Sequence, residues 1–298
     1  MDIQLLKSED IDKVKWNSCV HYANNGNIFG YRWFLDNVAK DWDALVEGDY
    51  ESVFPLVWRK GNWGSPELYQ PALMREMGIY SIHLLSAQRI QAFLDAIPKQ
   101  YKRINITLSG QNTIPTDAPF AIEPLTNYQL YLNSPYDILK ADYSAALHAK
   151  LQQAEELELL PKSGMKPEKL ADFYKKHAPH SSTLDQDFHA LQRIMYNALH
   201  RGWGFASSVT TPDDELLAVD FFLYSHGQVV SLMPCVSPKG REVGAQEYLI
   251  DMLLRTHAGR PLILDFNAPM NPSLPQSFGA HEARYFRLKR QIKQWGIF

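Results

Sequence analysis

Between Trp203 and Val236 the chain carries three strand-length apolar runs, Trp203 to Val209, Leu216 to Tyr224 and Val229 to Val236, with Asp213-Asp214 and His226-Gly227 as turn signals between them. Runs this close together predict a three-strand meander. Two helices are expected ahead of it. The first is Lys166 to His177, with Pro167 in its first turn. The second begins at Leu184, with Thr183 and Gln186 at capping-box spacing and Phe188, Leu191, Ile194, Met195, Ala198 and Leu199 on one face. A helix from Val243 to Thr256 follows the meander, with Ala245, Tyr248, Leu249, Met252 and Leu253 inward. Gly259 and Pro261 end it, and strands are expected at Leu262 to Phe266 and Ala283 to Leu288.

The first part of the chain repeats nearly the same order with less regular spacing. A strand at Ile3 to Leu6 precedes a helix from Ser8 to Tyr22 with Ile11, Val14, Cys19 and Tyr22 on one face, and a short helix from Tyr31 to Val38. Ala44 to Val46 and Ser52 to Arg59 read as a hairpin about Gly48-Asp49. A helix over Leu84 to Ile97 and strands at Lys102 to Leu108 and Tyr128 to Leu132 complete it. A long helix from Asp137 to Leu157 joins the halves, and Leu157 to Leu160 opens the second with a strand. The expected architecture is therefore α/β (α+β), two halves at 1–134 and 135–298, each a mixed sheet flanked by helices. A length of 298 residues suits two domains of about 150 each.

Charge and cysteine content narrow the setting. A net charge of −3 supplies no basic surface for nucleic-acid phosphates. The most apolar stretch, Leu216 to Tyr224, is short and holds Asp220, so no segment is expected to span a membrane. The amino-terminal stretch has charges of both signs and no signal-peptide pattern, and Cys19 and Cys235 stand far apart, which suits a reducing cytoplasm. His177 and His180 lie three apart without the converging ligands a metal needs, so no metal is expected.

Several short motifs stand in a telling order: Tyr31-Arg-Trp-Phe-Leu-Asp36, Trp42-Asp-Ala-Leu-Val46, Tyr50 to Leu56, Tyr69-Gln70-Pro71 and Gly78-Ile-Tyr-Ser81, then Gly240-Arg-Glu-Val-Gly-Ala245, Leu264-Asp-Phe266 and Phe278-Gly-Ala280. Together they resemble the tandem-GNAT, FemAB-like acyltransferase proteins of the Bacteroidetes, over nearly the whole chain. The resemblance implies two GNAT-like halves and an activated acyl donor, an acyl-CoA thioester, passed to a small-molecule or peptide amine.

It also implies site residues. Arg241-Glu-Val-Gly-Ala-Gln246 stands where GNAT enzymes resemble R/Q-x-x-G-x-G/A, which makes Arg241, Val243, Gly244, Ala245 and Gln246 the expected donor-binding residues. A helix N-terminus offers unpaired N–H groups to a pyrophosphate, and Gly244 is expected to leave room for it, so that valine there blocks coenzyme A without unfolding the chain. Gln246 departs from the small residue of the pattern. Asp265, at the end of an apolar strand, is the candidate general base. Tyr285 is the candidate proton donor because it stands on the final strand where the resembled family also carries a tyrosine; the stretch that normally bears the donor, Pro269 to Pro275 here, has three prolines and is expected to form no regular helix. Tyr69, Gln70, Arg75 and Asn267 are the expected substrate-binding residues, on the expectation that a ligand lies where duplicated halves meet.

Three readings stay open at this point: an acyl-CoA-dependent N-acyltransferase, a catalytically silent binding protein on the same fold, and a Fem-type transfer from aminoacyl-tRNA. The third is disfavoured, since Tyr143 to Leu160 carries only Lys150 as a fixed cation against Glu155, Glu156 and Glu158.

Overall fold

The computed structural model describes residues 1–61, 64–115, 118–177, 184–269 and 271–291. Its contacts divide the chain into two compact units, Met1–Thr126 with the chain from Arg284 onward, and Asn127–Ala283. The boundary read from the sequence, between 134 and 135, falls inside the second unit.

In the first unit, β1 (Ile3–Lys7), β2 (Asp41–Glu47), β3 (Ser52–Lys60) and β4 (Pro66–Tyr69) pair antiparallel in that order, β5 (Tyr80–Ser81) adds to β3, and β6 (Arg103–Leu108) lies parallel to β4. The β2–β3 hairpin turns where Gly48-Asp49 predicts, with Gly48 and Tyr50 at positive φ. Helix α1 (Lys13–Tyr22) starts later than its sequence pattern suggests, because the Asp12 carboxylate accepts from the N–H groups of Val14 and Lys15 and caps it there. Trp16, Cys19 and Val20 face the core, while Val14 and Tyr22, expected inside, are 75% and 71% exposed. Helices α2 (Arg32–Val38) and α3 (Ala87–Asp95) complete the layer. Gly30 approaches the fully buried Tyr80 so closely that a Cβ would lie 2.6 Å from its ring.

Strand β7 (Ala121–Tyr131) begins in the first unit and ends in the second. The expected linking helix is two helices, α4 (Tyr136–Ala141) and α5 (Ala145–Glu156). The break is held by side chains. The Ser144 hydroxyl accepts from Leu147 N–H to cap α5, and the Tyr143 hydroxyl donates to buried Asp251 at 3.0 Å. Glu158 at φ +52 ends α5, which moves the next strand, β8, to Leu160–Ser163. Helices α6 (Pro167–His177) and α7 (Leu184–Arg201) follow as expected. Leu191, Ile194, Met195 and Ala198 of α7 are buried, whereas Leu199 is exposed; the capping residue Thr183 and His180 lie outside the described residues.

The meander forms as β9 (Gly204–Thr210), β10 (Leu216–Ser225) and β11 (Gln228–Ser231). His226 and Gly227 both have positive φ, the geometry of a tight hairpin turn. The third run does not continue to Val236. It stops at Ser231 and resumes as β12 (Cys235–Val236), because Pro234 has no N–H for a ladder and the Met233 N–H is turned onto Asp220 instead. After β12 come the short helix α8 (Pro238–Glu242), helix α9 (Ala245–His257) and β13 (Ile263–Asp265). Strand β13 lies parallel to β11 and antiparallel to β7, so the sheet of this unit is mixed. The proline-rich stretch forms one helical turn after all, α10 (Ser273–Ser277), since Pro275 stands where no intrahelical N–H bond is required. The last strand, β14 (His281–Gln291), packs from Arg284 onward in the first unit, antiparallel to β6, rather than in the second half as read from the sequence. No described helix is long and apolar enough to cross a membrane.

Candidate functional site

A concavity of the second unit, about 750 Å³, opens where β11 gives way to β12. Pairing between β11 and β13 ends at Val230 and Asp265. Beyond that point Pro234, Cys235 and Val236 form one wall, and Pro269, Leu274 and Gln276 form the opposite one. Leu147 and Lys150 of α5, Gln246 and Glu247 in the first turn of α9, Arg241 and His177 complete the lining.

Local chemistry sets the charge of this space. The Arg241 guanidinium donates to the Val236 carbonyl at 3.1 Å, which anchors it at the wall. The Lys150 ammonium donates to Glu247 at 2.5 Å. Burial, with Lys176 and Arg241 nearby, lowers the His177 pKa, so the ring is neutral at pH 7. Burial pushes the Cys235 thiol up to about 12 and keeps it protonated.

A smaller chamber of about 40 Å³ shares Pro234, Gln246, Pro269 and Leu274 with the large one. Its far wall carries Asp220, in the middle of β10 and 3% exposed. The Asp220 carboxyl accepts from the Ser231 hydroxyl and, at 3.1 Å, from the Met233 N–H. Burial raises its pKa to about 7 despite these bonds.

Of the five residues expected at the donor, Arg241 and Gln246 line the large cavity. Gly244 takes φ +69 at the head of α9, where no side chain caps the helix. A Cβ on it would lie 3.0 Å from Lys150 Cβ and 3.1 Å from the Lys150 carbonyl, so the room beside this glycine is filled by α5. Val243 ends α8 and packs on the apolar core, and Ala245 is fully buried.

Asp265 is fully buried. One of its oxygens accepts from the Asn127 amide at 3.0 Å and the Asn267 N–H at 2.8 Å, and the other accepts from Gln129 at 2.9 Å. Asn127 in turn accepts from the Ala268 N–H. This network holds Asn267 and Ala268, both at positive φ, in the turn that leads to the cavity wall at Pro269. The Asn267 side-chain oxygen is buried without a hydrogen-bond partner.

The other expected residues belong to the first unit. Tyr69 lies beneath Arg59, 4.8 Å from guanidinium to ring, at a cavity of about 510 Å³ that Arg103 and Arg290 also line. Gln70 is bonded to the Met74 carbonyl and the Thr107 N–H. Arg75, 6% exposed, pairs with Glu76 at 3.2 Å and lies 6.0 Å from the half-buried Tyr285 ring. Sequence reasoning missed Asp220, Glu247 and the wall of Pro269, Leu274 and Gln276. For Asp220 the signal was present, a lone carboxylate inside the most apolar run of the chain.

No family model matches the chain, and no curated protein matches it. Solved structures do. The chain is similar to FemX, with a TM-score of 0.65 at 10% identity, over 96% of this chain and 97% of that one. It is similar to L-PGS from Bacillus licheniformis, TM-score 0.57 at 10% identity, over 95% and 93%. It is also similar to a tandem GNAT protein from the clavulanic acid biosynthesis pathway, TM-score 0.51 at 9% identity, over 98% and 100%. The expected fold of two GNAT-like halves is thereby borne out, and at such identities the likeness is one of fold.

Proposed function

We propose that this protein is a GNAT-type N-acyltransferase that moves an acyl group from an acyl-CoA thioester to an amine. The observation that carries the reading is the cavity of about 750 Å³ between the β11–β12 break and the uncapped first turn of α9. When bound, the thioester supplies a carbonyl already activated toward attack by nitrogen. Arg241 and the first-turn N–H groups of α9 offer positive charge to its phosphates. Gly244, with Val243 and Ala245, shapes that turn and seats it against α5. Asp265 positions the opposite wall through Asn267 rather than meeting the reacting atoms. Tyr69, Gln70 and Arg75 are proposed as substrate-binding residues and Tyr285 as a proton donor, all four within the first unit.

Thermal unfolding with coenzyme A, acetyl-CoA and longer acyl-CoAs tests the donor. At 100 times its dissociation constant the ligand should add about 2.7 kcal/mol of stability, and Arg241→Ala should reduce that gain. A protein whose stability no acyl-CoA changes is the catalytically silent relative instead.

Glu247 bears on the same question. Its carboxylate occupies the positive end of α9 and holds Lys150, both at the cavity. Glu247→Gln should free Lys150 and tighten acetyl-CoA binding in calorimetry. Weaker binding in this variant would place the phosphates elsewhere.

A further inference from the structure

Asp220 is a buried carboxyl that the donor chemistry does not use. Its hydrogen bonds come from neutral donors, the Ser231 hydroxyl and the backbone N–H groups of Met233 and Phe221, and no cation contributes to its environment among the described residues. A carboxylate has room for about four hydrogen bonds, so acceptor capacity is left over. Burying that charge without a counter-ion is costly. The chamber it faces is walled by Val219, Leu249, Ile250, Phe266 and Leu274, and its other polar side chains are Ser231 and Gln246.

We infer that Asp220 and this small chamber form a seat for the primary ammonium group of a ligand whose remainder lies in the larger cavity. Three features agree on it. A volume of about 40 Å³ takes little more than one water, whose share of liquid is about 30 Å³, so an ammonium with its methylene fits and a trimethylated one does not. The Asp220 carboxylate, the Ser231 hydroxyl and the Gln246 amide oxygen match in number the three N–H donors of an ammonium. Pro234, Gln246, Pro269 and Leu274 line both spaces, so the chamber adjoins the larger cavity and suits the tip of a longer molecule. The ammonium belongs either to an amine acceptor or to an aminoacyl group, and the chemistry of the seat is the same for both.

This deepens the transferase reading by naming a substrate group, and because its test reads binding alone, each can fail without the other. Calorimetry on the whole chain uses methylammonium and glycinamide as probes and tetramethylammonium as the control. Both primary ammonium probes should bind at pH 8 and the control should not. Glycinamide binding more tightly than methylammonium points to an aminoacyl source, and equal binding points to a simple amine. Methylammonium affinity should fall about tenfold between pH 8 and pH 6, because only the ionised carboxylate binds the cation; glycinamide, whose amine is itself only about half protonated at pH 8, should fall about half as far. Cys235, which faces Asp220, stays neutral over this range, and His177 on the larger cavity is the other group that gains charge as pH falls, so the carbon-13 titration of the Asp220 carboxyl assigns the change. Asp220→Asn should bind neither probe.

That variant is expected to fold. A raised carboxyl pKa costs the folded state stability as pH rises from the unfolded value toward about 7, and the amide carries no such cost. If it fails to fold, the carbon-13 shift of the wild-type Asp220 carboxyl serves instead. Its titration midpoint should move down with methylammonium and stay put with tetramethylammonium. Binding that survives Asp220→Asn, equal affinity at the two pH values, equal binding of the control, or an unmoved midpoint overturns the inference.

Discussion

Asp265→Ala is expected to lose about 3 kcal/mol of stability, because the buried Asn127 amide and the half-buried Gln129 amide and Asn267 N–H lose their acceptor, at about 1–3 kcal/mol for a buried donor and less for the half-buried ones. The loss is read as a lower urea midpoint at unchanged slope. The turn at Asn267 and Ala268 is strained by its positive φ values, so the same change should also loosen the wall from Pro269 onward and weaken acetyl-CoA binding. Asp265→Asn keeps an acceptor for Asn127 and the Asn267 N–H and should lose less. A general base behaves differently: its asparagine variant would keep full stability and lose turnover. That pattern would return Asp265 to the reacting atoms.

Gly244→Val should have the second largest effect, and here the structure changes what the sequence leads one to expect. A valine at this position is expected from the sequence to block phosphate and leave folding alone. In the structure the residue sits at φ +69, which costs a side-chain-bearing residue about 1–2 kcal/mol. Its Cβ would also press on Lys150 of α5 at 3.0 Å. Strain and overpacking together should cost about 2–4 kcal/mol, with alanine costing less because it lacks the branch. Urea midpoints for the two variants check this ordering. A valine protein as stable as wild type that nonetheless loses acetyl-CoA would show that the glycine faces the donor and not α5.

Much of the fold was legible because its signals are local. Alternation and turn residues marked the β9–β10–β11 meander and the His226-Gly227 turn. Helical periodicity marked α6, α7 and α9, and the two halves followed from element order. Of the residues expected at a donor, Arg241 and Gln246 line the cavity.

Local signals do not say which groups meet. The start of α1 was misread because one capping bond at Asp12 decides where the helix begins, and its buried face, Trp16, Cys19 and Val20, is set by what the helix packs against. The linking helix breaks at Asp142–Ser144 because Tyr143 reaches Asp251, 108 residues away. Likewise the third meander strand breaks because Met233 finds Asp220 and Pro234 cannot pair. Asp265 looked like a base by its place at a strand end, yet the amide it meets on Asn127 lies 138 residues away in sequence. Determined by the sequence alone were the apolar pattern, the turns and the order of elements, since each depends on neighbours a few residues apart. Only the tertiary structure decided the cavity, the Lys150–Glu247 pair and the buried carboxyl of Asp220, because the pairing and burial of polar groups depend on contacts between distant parts of the chain.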